Sequence, residues 1–394
     1  MISYAESQRL LSAQARLLPA ETIPLSKALG RVCAKSVVSN EALPAFDNSS
    51  MDGFAVRAAD VKRASTLLPV AGTLSAGDRP RTLARGFACE IMTGAPLPSG
   101  ADAVVPVEYT HRTGCGRDVV IEGRCAPGDF VRRAGSDFAR GKRILEVGTA
   151  IGPRHMLALA ALGATSVAVR RRPIIAVLAT GKELVPPERR PKPGQIRDGS
   201  SSFLMAALEQ NGCEARHFGI VRDDPKDFAH KMKKILAAKP DAVLTTGAVS
   251  MGKHDFVTAE VARLGAKLLY HKVAIRPGKP GLVARFHRGP IFFGLPGNPV
   301  STVVGWRFFV RPYLQRCLGL PAEIPRRARL SARVEKPEGL RCFFKARREG
   351  DSVRVLRGQG SHMISTLLEA DCWAVLPEAR SGIRAGKEVE VYPL

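Results

Sequence analysis

Between residues 173 and 319, short apolar runs of strand length alternate with segments of helical spacing, and this alternation restricts the fold more than any other feature of the chain. IIAVLA (174–179) is a continuous apolar run that reads as a strand. Residues 200–211 space Phe203, Ala207 and Leu208 as a helix face, and Gly212 gives the stop. HFGIV (217–221) reads as a second strand. Residues 225–239 start a helix at Pro225 and align Phe228, Met232, Ile235 and Leu236 on one face. AVLTT (242–246) is a third strand, followed by a helix that aligns Val257, Val261 and Leu264. LLYHKVAI and IFFGL read as further strands, and 299–318 as a closing helix. Such alternation predicts a parallel sheet covered by helices on both faces.

The rest of the chain has a different texture. At 394 residues it exceeds what one core organises, so several domains are expected. Residues 40–140 are rich in Gly and Pro and hold short β-prone pieces, DAVVPVEY (102–109) and VVIEG (119–123), which predicts a separate, mostly β insert. Residues 325–394 are strand-like, with a helix expected only around 363–370, and read as a small β domain.

Several function classes drop out on composition. Hydrophobic residues at 45% and charged residues at 24% give a globular balance. No run approaches the roughly 18 apolar residues of a spanning helix, and MISYAESQRL lacks a basic segment followed by an apolar one, so a cytoplasmic protein is expected. The eight cysteines are scattered without a C-x-x-C pair, which favours reduced thiols over zinc or disulfides. Net charge is +24. That suits anionic partners or simply a basic surface. The basic clusters at 170–172, 189–192, 326–329 and 345–348 are not interleaved with aromatics, and no zinc-finger, RNP or KH pattern appears, so nucleic acid is not an expected partner.

Candidate chemistry follows the strands. TGKEL with Glu183 follows the first strand, RDD with Asp223 and Asp224 the second, GAVSMGKHD with Ser250 and Asp255 the third, and PGNPVS with Asn298 and Ser301 follows IFFGL. In an open parallel sheet such turns gather outside the carboxyl ends of the strands, where ligands bind. Glycine-rich turns offer N–H groups to an anion, and carboxylates at the same rim suit magnesium held against phosphate oxygens. Lys279, in RPGKP, adds a point charge. Singly, each feature has a plainer reading: Asp255 as a helix cap, PGNP and PGKP as turns. In the insert, FDNSSMDGFAV (46–56) surrounds an Asp-Gly that suits a hairpin turn with polar residues a fold alone does not require. IMTGAPLPSGADAVVPVE (91–108) places Thr93 in a rigid loop, and VRRAGSD (131–137) joins Arg132, Arg133 and Asp137 in what reads alternatively as an exposed salt-bridged turn.

Taken in order, FDNSSMDGFAV, TGAPLPSGADAVVPVE, RRAGSD, TGKEL, GAVSMGKHD, RPGKP, GLPGNPVS and the terminal GSHMIS resemble the molybdopterin molybdenumtransferase family, that is, the MoeA-like proteins and the gephyrin E domain. The resemblance implies an α/β molybdopterin-binding domain (1–18 and 172–320), a connecting domain (19–39 and 139–171), a mostly β insert (40–138) and a C-terminal, barrel-like β domain (325–394). It implies a homodimer whose cleft joins the α/β domain of one subunit to the insert of the other. Its substrates would be adenylylated molybdopterin and molybdate, with Mg2+ assisting and AMP released. Protein partners would be the upstream adenylyltransferase and molybdoenzyme acceptors. Carried over by motif, Asp52, Thr93, Asp137, Glu183 and Asp255 would be catalytic. Arg132, Asp224, Ser250, Lys279, Asn298, Ser301 and Ser361 would bind substrate, and Asp224, Glu183 and Asp255 the metal. The chain departs from the family pattern at Lys182, where an acid is usual, at Ala248, where glycine is usual, at Gly199-Ser200 after Asp198, and at Lys345, where arginine is usual. Lysine lacks the planar fork that grips an oxyanion twice. The alternative to an enzyme is a non-catalytic scaffold or molybdopterin-binding paralogue of the same fold.

Overall fold

The computed structural model describes every residue except 62, 64, 114, 115, 249–255 and 380. Its contacts divide the chain into two compact units: residues 22–29 with 35–168, and residues 1–21, 30–34 and 169–394.

The first unit is built on a six-stranded sheet. Its strands are β1 (Gly53–Val56), β2 (Ser65–Leu74), β3 (Ala88–Ile91), β4 (Ala103–Pro106), β5 (Thr110–Thr113) and β6 (Asp118–Glu122), in the spatial order β4-β1-β3-β2-β6-β5. Successive side chains point to opposite faces. Phe54, Val56 and Val105 accordingly enter one apolar cluster, and Ala55, Ile91 and Val104 another. Asp52-Gly53 is therefore not a hairpin turn. Gly53 opens β1 between two neighbours, and a Cβ there would collide with the Val105 carbonyl.

The second unit holds the sheet anticipated from the alternation. Its strands are β7 (Ile174–Thr180), β8 (Glu214–Val221), β9 (Ala242–Thr246), β10 (Ala266–His271), β11 (Leu282–Phe286) and β12 (Ile291–Leu295), ordered β8-β7-β9-β12-β11-β10. Helices α1 (Gly199–Gln210), α2 (Pro225–Ala237), α3 (Val257–Arg263) and α4 (Pro299–Gly305) complete the layer, the last running on through a π turn, Trp306–Val310, to Leu318. Ile175 and Val177 pack with Leu204 and Leu208 of α1 on one face. Ala176 and Leu178 pack with Phe228, Met232 and Ile235 of α2 on the other.

Two strand readings need correction. The sheet is mixed, because LVARF forms β11, which pairs antiparallel with both β10 and β12. The link from Phe286 to Ile291 is too short for the crossover a parallel pair requires. LLYHKVAI is two strands, since Lys272 has φ 70° and an extended chain cannot pass through that conformation. Its second piece, Ile275–Arg276, joins the C-terminal sheet beside Arg341.

That sheet comprises β13 (Arg326–Leu330), β14 (Arg341–Glu349), β15 (Ser352–Val355), β16 (Cys372–Leu376) and β17 (Glu388–Pro393). It runs β14-β15-β13-β17-β16 and closes by pairing β16 with β14. Phe343 of β14 stacks on Phe308 with centroids 4.1 Å apart, and Trp373 is fully buried beside them. One aromatic cluster thus fixes this barrel to the α/β layer. No helix among the described residues is long and apolar enough to cross a membrane.

Candidate active site

Three strands end on one cleft. Thr180 and Gly181 at the end of β7, Thr246 and Gly247 at the end of β9, and Gly297 and Asn298 after β12 line a cavity of about 650 Å3. Two of these glycines are required by geometry. Gly181 has φ 154°, and a Cβ there would lie 2.7 Å from Oε1 of Glu183, so the carboxylate folds back over the turn only because nothing fills that space. Gly247 has φ 85°, and a Cβ would strike the Thr180 carbonyl of the neighbouring strand. The next residue breaks this pattern: Ala248 is held at φ 49°, a left-handed conformation costing an L-residue roughly 1–2 kcal/mol.

The cleft is acidic. Glu183, Asp198 and Asp223 line it beside a single arginine among the described residues, Arg197. The half-buried Glu183 carboxylate accepts no hydrogen bond among the described residues. Asp198 is 3% exposed and caps α1, its Oδ1 accepting the Ser201 N–H at 2.9 Å. Its other oxygen, Oδ2, is buried without a partner. A buried carboxylate oxygen is costly unless a donor or a cation meets it. Asp224, expected here as a substrate and metal group, is instead exposed and caps α2, accepting the Lys226 N–H at 3.0 Å; Asp223 is the member of the pair that lines the cleft. Lys182 is exposed and outside the lining.

Asn298 also borders a second, smaller cavity of about 320 Å3, which gathers Arg276, Lys279, Ser301, Gln359 and Ser361. Ser301 is buried in α4, and the Val300 N–H donates to the Ser361 carbonyl at 3.0 Å, tying the barrel loop to that helix. Lys345 explains how the loop keeps its shape. It is 1% exposed, and its Nζ donates to the carbonyls of Gly358 at 2.7 Å and Met363 at 2.9 Å, and more weakly to Gly360 at 3.4 Å. Loss of solvent lowers its pKa. Gln359 ties the same loop to β14, accepting the Lys345 N–H at 3.0 Å and donating to the Lys345 carbonyl at 2.9 Å. The ammonium is fully committed to the loop, so the lysine that stands where the family has arginine serves here as an internal brace.

The insert carries its own fixed carboxylate. Asp52 Oδ1 accepts the Thr93 N–H at 2.6 Å and the Thr93 hydroxyl at 2.8 Å. Those bonds, the backbone one first, hold the exposed Asp52 carboxyl below the usual aspartate range. The two motif segments also pair through their backbones, Gly94 donating to Ser49 and Ser49 to Ala95. In the third segment the ion pair is Arg133 with Asp47 at 2.6 Å. Arg132 extends from a short strand, Val131–Arg132, and it and Asp137 are exposed without an ion pair.

Ser250 and Asp255 lie outside the described residues. Among the described residues no three His, Cys, Asp or Glu side chains form a ready-made metal cage. Magnesium asks less of a protein: one or two carboxylates, with phosphate oxygens and water filling the octahedron. The unpartnered Asp198 oxygen beside Glu183 and Asp223 fits that requirement. Sequence reasoning missed Asp198, His362 and Arg276 as lining residues. Asp198 carried a signal, since a capping Asp between a short strand and a helix at a strand-end cleft has one oxygen to spare. His362 carried none, because its position depends on the barrel packing against the α/β layer.

Comparison with known proteins matches all three parts of the chain. Residues 2–163 match the family described as MoeA N-terminal region (domain I and II), 176–316 that of a probable molybdopterin binding domain, and 327–394 that of MoeA C-terminal region (domain IV). The molybdopterin molybdenumtransferase of Synechococcus elongatus is 39% identical, with both chains covered in full. That of Bacillus subtilis is 34% identical over 94% of this chain and 89% of its own length. A crystal structure of the molybdopterin biosynthesis MoeA protein from Pyrococcus horikosii superposes with a TM-score of 0.86 at 32% identity, covering 100% of this chain and 99% of that one.

Proposed function

The chain belongs to the molybdopterin molybdenumtransferase family, and from that premise we propose how its own residues carry the reaction. It is an enzyme of molybdenum cofactor biosynthesis and inserts molybdenum into molybdopterin. The substrate would be adenylylated molybdopterin, whose pyrophosphate lies in the cleft at the ends of β7, β9 and β12. Molybdate would sit in the adjoining cavity, where Lys279 and Arg276 supply charge and Ser301 and Ser361 supply hydroxyl donors. A tetrahedral dianion is satisfied by that set. Asn298, common to both cavities, is placed to touch both substrates.

Cleavage needs a nucleophile and neutralisation of phosphoryl charge. Glu183, free of hydrogen-bond partners among the described residues, would take the proton of a water whose oxygen attacks the phosphorus of the AMP moiety. The P–O bond to the bridging oxygen breaks and AMP leaves. Asp198 and Asp223 would hold Mg2+, which when bound offsets the negative charge on the phosphoryl oxygens. Asp52, Thr93, Arg132 and Asp137 of the insert, together with Ser250 and Asp255, belong to the proposal on their motifs. So do the four-domain division given by the resemblance, the homodimer, the cytoplasmic address, and the adenylyltransferase and molybdoenzyme partners.

One observation carries this reading: Glu183, without a hydrogen-bond partner among the described residues, and the unpartnered Asp198 oxygen line a strand-end cleft that shares Asn298 with a cavity holding two cations and two hydroxyls. The test incubates purified protein with adenylylated molybdopterin and follows AMP. Release that needs Mg2+ is expected. Binding of the substrate with no release under any combination of Mg2+ and molybdate would leave a scaffold or carrier instead.

A further inference from the structure

The α/β sheet has a second large cavity, at the opposite ends of its parallel strands, which the reaction above does not use. It measures about 740 Å3 and opens beside Pro173, Asp241 and Pro290, the residues that immediately precede β7, β9 and β12. Five cations line it: Arg16, Arg171, Lys239, Arg285 and Arg288. Asp241 is the one carboxylate in the lining, and it is already spent. Its oxygens accept both terminal nitrogens of Arg171, at 2.8 and 2.9 Å, and the Ile174 N–H at 2.7 Å. The other four cations have no acidic partner among the described residues; Arg285 donates only to the Tyr313 hydroxyl, at 3.3 Å. Leu17, Leu236 and Leu264 give the same cavity an apolar wall, and Leu17 is 58% exposed.

Two of these cations stand where the backbone asks for something else. Lys239, after α2, has φ 48°, and Arg288, in the turn between β11 and β12, has φ 50°. Glycine or asparagine takes such left-handed positions without strain. Lys239 gains something in return, since it follows the carbonyl end of a helix, where positive charge is favoured. Arg288 sits in a strand-to-strand turn and serves no helix. Strained residues that persist without a structural return cluster at ligand sites.

We propose that this cavity binds a small organic phosphate of nucleotide size, its phosphate held by Lys239, Arg285 and Arg288 and its apolar body laid against Leu17, Leu236 and Leu264. The volume lies within the range of small-molecule sites, and unpaired guanidinium and ammonium groups are the natural partners of a phosphate. The inference stands on this cavity alone and does not depend on the reaction assigned to the other end of the sheet.

The test counts bound AMP per chain by equilibrium dialysis of the full-length protein. The deciding variant is Lys239→Gly/Arg288→Gly, because glycine removes both charges and also relieves both left-handed positions. It should melt no lower than wild type and bind one equivalent of AMP fewer, with affinity at that site reduced at least about tenfold. Adenosine should not fill the site, and inorganic phosphate should compete for it. A control with the same change in net charge, Arg124→Gly/Arg140→Gly, should bind as wild type does. Unchanged AMP binding in the cavity variant overturns the proposal, as does an equal loss in the control, which would mean diffuse attraction to a basic surface. Should the glycine pair melt lower, the same count on Lys239→Gln/Arg288→Gln decides.

Discussion

The two ends of the α/β sheet carry opposite charge. The carboxyl ends of β7, β9 and β12 present Glu183, Asp198 and Asp223, with unpartnered carboxylate oxygens. The amino ends of the same strands present four cations without acidic partners among the described residues and one carboxylate that is internally neutralised. The backbone differs too. Gly181 and Gly247 relieve the turns at the acidic end, where Ala248 alone departs from that pattern, while two charged residues, Lys239 and Arg288, keep their side chains at the cost of left-handed backbone at the basic end. A parallel sheet supplies loops at both ends, but the charges decide what each end can hold. Carboxylates suit a cation that bridges to phosphate, and isolated cations suit the anion directly.

The largest expected stability effect concerns the loop beside the acidic cleft. Lys345→Met removes the ammonium that three loop carbonyls share, and a loss of about 2–4 kcal/mol is expected from urea unfolding. A loss under about 0.5 kcal/mol would show that the loop does not rely on this brace. Next, Asp198→Asn keeps the cap of α1, since Asn caps nearly as well as Asp, but removes the spare negative oxygen. The Mg2+ concentration giving half-maximal AMP release should rise about tenfold or more with the fold unchanged. An unaltered Mg2+ requirement would remove Asp198 from the metal's surroundings and weaken the contrast between the two ends.

Smaller effects calibrate the comparison. Thr93→Val, which keeps the backbone N–H and removes only the hydroxyl, should move the Asp52 carboxyl part of the way back toward the ordinary aspartate range in an NMR pH titration. The sign is fixed by the depressed folded-state value. The contact contributes stability above the unfolded pKa and loses it as pH falls through the folded one, so the acid side of the stability profile should flatten in the variant. An unmoved titration would mean that the Thr93 hydroxyl contributes nothing and the backbone N–H alone holds Asp52 ionised. Ala248→Gly should stabilise the protein by up to about 1 kcal/mol, because the conformation is already the one glycine prefers. Destabilisation would show that the Ala248 methyl packs against something worth more than the strain.

The sequence exposed what periodicity encodes and concealed what tertiary packing decides. The faces of α1 and α2 were legible, since Phe228, Met232 and Ile235 recur at helical spacing and are all fully buried. β11 was not, because LVARF carries an arginine and is only 5 residues long, and its neighbours β10 and β12 give it its place. Glu183, Lys279, Ser301 and Ser361 were legible as motif residues, and each lines one of the two adjoining cavities. Asp224 enters by motif, and only the backbone shows that it turns back to cap the helix while Asp223 lines the cleft. Lys345 looked like a weakened oxyanion ligand. Its commitment to three carbonyls depends on a loop 13 to 18 residues away, which no local pattern reveals. The basic cavity was invisible for a related reason, since its cations come from four separated stretches of chain.

The most direct test of the carboxyl-end cleft is single-turnover AMP release by Glu183→Gln, at saturating Mg2+ and molybdate, beside Lys239→Gly/Arg288→Gly. The expected result is a rate reduced about 10²–10³-fold in Glu183→Gln with the fold intact, and a wild-type rate in the basic-cavity variant. A wild-type rate in Glu183→Gln would contradict the assignment of cleavage to that end of the sheet.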